Sequence, residues 1–134
     1  MKTIIAVYGA AQKGKTETLK IVASILRNCP TFELIKEEQV NGIGIRLVCK
    51  VNGKKIAVET LGDHEDDNCN IIFCASRTRG DTVNSINEIV EQWGYSLIWT
   101  STYEIVEGKE KQRTIVNKLK AHQLSDLLKA LDLL

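Results

Sequence analysis

A chain of 134 residues, 43% apolar and 26% charged, has apolar side chains for one core and too little length for two ordinary domains. Its 18 Lys and Arg against 17 Asp and Glu leave a formal charge of +1, no field for nucleic acid or an anionic membrane, so neither is an expected partner. No apolar run approaches the roughly 18 residues that span a bilayer, and the apolar opening ends at Tyr8, short of a secretion signal's usual core of about 7 to 15 residues.

The expected location is therefore the cytoplasm. Cys29, Cys49, Cys69 and Cys74 form no C-x-x-C pair, and the two histidines complete no zinc pattern with them. Cys69 and Cys74 read as residues of one strand at an odd separation, which turns them to opposite faces. Buried thiols are the expectation for all four. With no low-complexity tract, proline-rich linker or repeat, residues 1–134 read as one domain.

The first predicted element is a strand, Thr3 to Tyr8, whose nearly continuous apolar run suits burial on both faces. A helix follows Gly14, with Leu19, Val22, Ala23 and Leu26 on one stripe. Pro30-Thr31 reads as a turn before a strand from Phe32 to Ile35. Ile43 to Val51 alternates, with Ile43, Ile45, Leu47, Cys49 and Val51 on one face and Gly44, Arg46 and Lys50 on the other, as a half-exposed edge strand does. Asn52-Gly53 then supplies a type I′ turn, and Lys54 to Glu59 returns as the antiparallel partner.

Further along, Ile71 to Ala75 and Ser96 to Thr100 repeat the buried-strand pattern. Between them Val83, Ile86, Val90 and Trp93 share a helical stripe with Asp81 as N-cap and Gly94 as the stop. A last helix runs from about Glu110 to Leu134, and its stripe shifts between Leu119 and Leu124, which predicts a break near His122 and a restart at Ser125. Strands alternating with helices indicate an α/β layered domain.

Directly after the first strand stands Gly9-Ala10-Ala11-Gln12-Lys13-Gly14-Lys15-Thr16, which fits G-x-x-x-x-G-K-[ST] at every specified position. Glycines at both ends let a loop curl around phosphate oxygens with its N–H groups inward, and the following helix N-terminus adds partial positive charge. Lys15 is then the clamp on the β- and γ-phosphates and the Thr16 hydroxyl the Mg²⁺ ligand. Lys13 is in the loop and reads as a solvated side chain.

On these residues the chain resembles the P-loop nucleoside triphosphatase superfamily and, more loosely, small bacterial P-loop ATP-binding proteins. The resemblance implies a nucleotide with Mg²⁺ and a three-layer α/β fold. Its sheet would have about five mostly parallel strands, the first of them central, and an antiparallel edge hairpin. The stretch Ile56-Ala57-Val58-Glu59-Thr60-Leu61-Gly62-Asp63 is similar to the second motif of the GTPase-like branch, with Glu59 where Asp is usual. The similarity implies Glu59, or alternatively Asp63, as the carboxylate of the magnesium water shell, and Gly62 as an N–H donor to the γ-phosphate. Thr31 holds a place similar to that branch's switch threonine, with the turn as the competing reading. The branch's guanine motif N-K-x-D has no counterpart, so the expected nucleotide is ATP.

Arg77-Thr78-Arg79-Gly80 follows the strand Ile71 to Ala75, and ligands bind beyond the carboxyl ends of strands in open α/β sheets. Arg77 and Arg79 are candidates for stabilising charge on the transferred phosphoryl group, with a surface pair as the alternative. The acidic stretch Asp63 to Asn68 reads as a solvated loop, and Thr60, Asp63 and His64 are the nearby candidates for a general base.

The sequence thus predicts an ATP–Mg²⁺-binding protein that hydrolyses or transfers the γ-phosphate. A small nucleoside or nucleotide kinase is one alternative. A non-enzymatic module in which nucleotide orders residues Thr31 to Glu38 and Asp63 to Asn68 is the other.

The expected strand order is hairpin, first strand, Ile71 strand, Ser96 strand. Passing from Glu59 to Ile71 in parallel across the first strand then demands a return of about 17 Å and a sideways step of about 10 Å, with roughly ten residues and no room for a helix. One sheet face would be covered by the helix Val83 to Trp93 alone, and a second copy or a partner chain is the expected cover for the remainder.

Overall fold

The computed structural model describes residues 2–8, 14–40, 44–60, 69–76, 86–88, 90–92, 94–101 and 110–130. Strands β1 (Thr3–Tyr8), β2 (Glu33–Val40), β3 (Gly44–Val51), β4 (Lys54–Glu59), β5 (Ile71–Ser76) and β6 (Ser96–Ser101) form one sheet in the order β2-β3-β4-β5-β1-β6. The pairs β4–β5, β5–β1 and β1–β6 are parallel, and β2–β3 and β3–β4 are antiparallel. Helix α1 (Lys15–Arg27), helix α2 at residues 86–88 and 90–92, and helix α3 (Glu110–Ala130) flank it.

The period-two alternation of the strands divides the core. Ile5 and Val7 of β1, Val58 of β4 and Phe73 of β5 pack with Leu19, Val22 and Leu26 of α1 and with Ala121, Leu124 and Leu128 of α3. Ile4, Ala6, Ala57, Ile72 and Cys74 face the other way, with Ile86 and Val90 of α2. Two helices therefore cover one face and α2 the other. Each fully buried Ile, Leu or Phe of this set contributes about 1.5–3 kcal/mol, which is why β1 and β5, apolar on both faces, sit inside the sheet.

The local turn chemistry holds as predicted. Asn52 at φ 53 and Gly53 at φ 78 take the positive angles of a type I′ turn between β3 and β4. Gly94, at φ 71, donates its N–H to Val90 O at 3.1 Å and closes α2. Val83, Asp81 and Trp93 lie outside the described residues.

Several expectations are corrected. The sheet has six strands where about five were expected, because the segment expected as a strand from Phe32 to Ile35 joins it as β2 and extends through Lys36, Glu37, Glu38 and Gln39, which carry no apolar pattern. It is an outer strand with exposed side chains, and its charges oppose edge-to-edge pairing with another chain. Consequently β3 is an inner strand, with Val48 buried on the face expected to be open. The true edge on the other side is β6, where Trp99 is 39% exposed. Helix α3 does not break at His122: Asn117, Ala121, Leu124 and Leu128 make one unbroken buried stripe, and Leu119, which suggested the shift, is exposed.

The strand order also differs. Strand β5 lies between β4 and β1, so the connection from Glu59 to Ile71 makes one sideways step of about 4.8 Å and crosses no strand. Asn70 fixes the step: its N–H donates to Lys55 O at 2.8 Å, its side-chain oxygen accepts from Lys55 N at 2.9 Å, and its carbonyl accepts from Thr3 N at 2.9 Å. On the sheet face that α2 covers, Ile4, Ala6, Val48, Ala57, Ile72 and Cys74 are all at most 2% exposed, while Tyr8 and Trp99 at its β1–β6 end are 36% and 39% exposed.

Cys69 precedes β5 and packs in the same cluster as Cys74, not across the sheet from it. All four thiols are free. Burial pushes Cys49 up to about 11 against the opposing charge of Arg27, and burial, then the Glu59 carboxylate, push Cys74 higher still. At pH 8 a thiol reagent is expected to modify half-buried Cys29 first, and Cys49, Cys69 and Cys74 only after denaturant is added. Four equally fast thiols in the native protein would contradict the buried packing.

Candidate functional site

Strand β1 is flanked by β5 and β6, all three parallel, so its carboxyl end opens at the middle of the parallel half of the sheet. Tyr8, its last residue, pairs with Ser76 of β5 and Ser101 of β6, and the octapeptide begins one residue later. Gly9, Ala10, Ala11, Gln12 and Lys13 lie outside the described residues. The end of the octapeptide is described. Gly14, at φ 82 and ψ 9, is the N-cap of α1 and supplies no side-chain cap, and Lys15 and Thr16 are the first two helical residues.

Only glycine takes this left-handed cap at small cost. Thr18 N donates to Gly14 O at 2.9 Å and starts the helical ladder. The first-turn N–H groups of a helix point out along its axis ahead of that ladder, and together with the helix dipole they favour an anion at this end.

The topology points to the same end of the sheet. The chain leaves β1 for α1 on one face and leaves β5 for α2 on the other. Neighbouring parallel strands that feed opposite faces open a crevice at their carboxyl ends, where α/β proteins bind ligands. Arg77 and Arg79 follow Ser76 directly in sequence and lie outside the described residues, as do Gly62, Asp63 and His64.

Two α3 residues that sequence reasoning missed stand at this end. Asn117 is polar, only 8% exposed, and occupies the space in front of Gly14: a Cβ built there would overlap Asn117 Oδ1 and stand 3.1 Å from its Cγ. One turn on, Lys120 Nζ donates to Thr100 Oγ1 at 2.5 Å, and Thr100 pairs with Val7, two residues before the octapeptide. Burial lowers the Lys120 ammonium below its ordinary pKa. The signal for Asn117 was a lone polar residue in line with Ala121, Leu124 and Leu128. What it faces was not readable.

Glu59 is placed elsewhere. It pairs with Arg46 across β3–β4, its Oε1 3.1 Å from Arg46 Nε, with side-chain exposures of 3% and 12%. By register it lies beside Cys74 and then Ala6, two strands from β1. Its alternation with Ala57 turns it to the face away from α1. The structure therefore does not bring Glu59 to the α1 N-terminus that carries Thr16. Removing one member of a buried ion pair strands the other's charge. Glu59→Gln is thus expected to cost about 3 kcal/mol in urea unfolding and to leave the Mg²⁺ dependence of nucleotide affinity unchanged. A lost Mg²⁺ dependence with normal stability would restore Glu59 as a metal-shell ligand.

Two other candidates are structural. Thr60 Oγ1 accepts from Ile45 N at 2.8 Å and donates to Ile45 O at 3.3 Å, so it clasps the end of the β3–β4 ladder. Thr31 Oγ1 donates to Asn52 Oδ1 at 2.8 Å and accepts from Asn52 N at 2.9 Å. The Asn52 turn precedes β4 and so stands at the amino ends of the parallel strands, across the sheet from the octapeptide. That removes Thr31 from any metal site there. Residues Glu33–Val40 form β2.

Among the described residues no group of three or more His, Cys, Asp or Glu is placed to hold a metal, and no helix is long and apolar enough to cross a membrane. No family model, no curated protein and no solved structure matched the chain. The chain's class, an α/β domain with a six-stranded mixed sheet, rests on its own geometry.

Proposed function

We propose that the chain binds a nucleoside triphosphate, ATP in the first place, with Mg²⁺ at the carboxyl ends of β1 and β5, and hydrolyses or transfers the γ-phosphate. The observation that carries the reading is Gly14, a left-handed glycine at the end of G-x-x-x-x-G-K-T that caps α1 without a side chain. A cap of this kind leaves main-chain donors and the helix dipole at one point, which suits a phosphate.

In this reading the main chain around Gly14 holds the phosphates, Lys15 places its ammonium on them, and the Thr16 hydroxyl orients the metal. Mg²⁺, when bound, supplies charge neutralisation between the phosphates. Asn117 occupies the space in front of Gly14 that a Cβ would need, so the cap fits glycine. Arg77 and Arg79, next in sequence after β5, are the candidates for charge developing on the transferred group. Glu59 is assigned to its pair with Arg46.

The deciding experiment is a calorimetric screen of ATP, GTP and their non-hydrolysable analogues with and without Mg²⁺, followed by phosphate release. Mg²⁺-dependent binding with phosphate release supports hydrolysis. Label passing to an added nucleoside and not to water supports the kinase. Failure of every triphosphate to bind overturns the reading.

A further inference from the structure

Phe73 is buried, and Tyr95 is buried with its hydroxyl donating to Cys69 O at 2.8 Å. Tyr8 and Trp99 differ. They are 36% and 39% exposed, and they meet edge to face with ring centroids 6.1 Å apart and planes at 74°. Their positions are specific. Trp99 pairs with Ala6 in the β1–β6 register, so Tyr8 is its diagonal neighbour on the same face, the α2 side of the sheet, at the carboxyl end of β1. Tyr8 is also the last residue before the octapeptide, about 3.8 Å of chain from its first glycine.

We infer that Tyr8 and Trp99 form a stacking platform for the base of the nucleotide whose phosphates the octapeptide holds. The inference rests on the nucleotide reading above and adds to it the part of the ligand that the phosphate loop does not touch. Large aromatic rings left in water forgo the burial that stabilises their neighbours, and a paired, solvent-facing arrangement at the end of the strand that leads into the octapeptide gives that surface a use. Every base has a π-face, so stacking binds bases with little regard to their hydrogen-bonding edges. A base held in this way needs no N-K-x-D motif, and none is present. The expected selectivity is therefore weak, with ATP and GTP bound within a few-fold of each other.

The test uses the full chain with Trp93→Phe, which leaves Trp99 as the sole tryptophan of the original two. ATP and inorganic tripolyphosphate, each with Mg²⁺, are titrated by fluorescence and calorimetry. ATP is expected to quench Trp99 and tripolyphosphate is not. Trp99→Ala is expected to weaken ATP about tenfold, leave tripolyphosphate affinity unchanged, and lose to Trp99→Phe in ATP affinity. Unchanged tripolyphosphate binding also shows that the variant is folded. Equal ATP affinity in Trp99→Ala and its parent, with tripolyphosphate still bound, overturns the platform and leaves the phosphate loop standing. A parent chain that binds neither probe overturns the loop and the platform together.

Discussion

Lys15→Ala is expected to lower ATP affinity by roughly 100-fold in calorimetry while the chain stays folded, because one charge-assisted hydrogen bond to phosphate contributes about 1.5–3 kcal/mol. Lys15 follows the left-handed Gly14 directly and opens α1, and in the proposed reading its ammonium sits on the phosphates. Lys15→Arg keeps the charge and changes its shape, and is expected to recover only part of the loss. Affinity in the parent chain is expected to fall with added salt, as binding between opposite charges does. Unchanged ATP affinity in Lys15→Ala would remove the octapeptide from the site.

Gly14→Ala is the second large effect, and it acts on fold and site together. An alanine at φ 82 carries the left-handed penalty of about 1–2 kcal/mol, and its Cβ would occupy the position of Asn117 Oδ1, an overlap of about 1–3 kcal/mol. Urea unfolding is expected to show a loss of about 3 kcal/mol in total, accompanied by lost ATP binding. The double variant Gly14→Ala/Asn117→Ala separates the two causes. It is expected to recover the overlap and not the backbone penalty, a positive coupling in a double-mutant cycle. Additive losses would mean that Asn117 does not pack on the cap.

How far the site was readable follows from the range of the interactions involved. Gly14, Lys15 and Thr16 stand in a local pattern, strand then glycine-bounded loop then amphipathic helix, and the structure has β1, the left-handed Gly14 and α1 in that order. The Asn52-Gly53 hairpin and the Gly94 stop are equally local. Asn117, Lys120 and Trp99 were missed because each acquires its meaning from a residue far away in the chain: Gly14, Thr100 and Tyr8. The partner of Glu59 was hidden for the same reason. A glutamate ending an apolar strand looks like a ligand until Arg46, thirteen positions earlier, is seen across the ladder.

Strand identities, turn types and helix faces were written in neighbouring residues, since they depend on backbone angles and on spacings of two or about 3.6. Which strand lies beside which was not. β1 and β5 are both short apolar runs with the same preference for a buried position, and nothing in either marks its neighbour. Only the assembled sheet, with Asn70 bonded to both Lys55 and Thr3, set β5 between β4 and β1. That choice set Glu59 beside Cys74 and across from Arg46, two strands from β1, because sheet order is fixed by the sum of many weak long-range contacts.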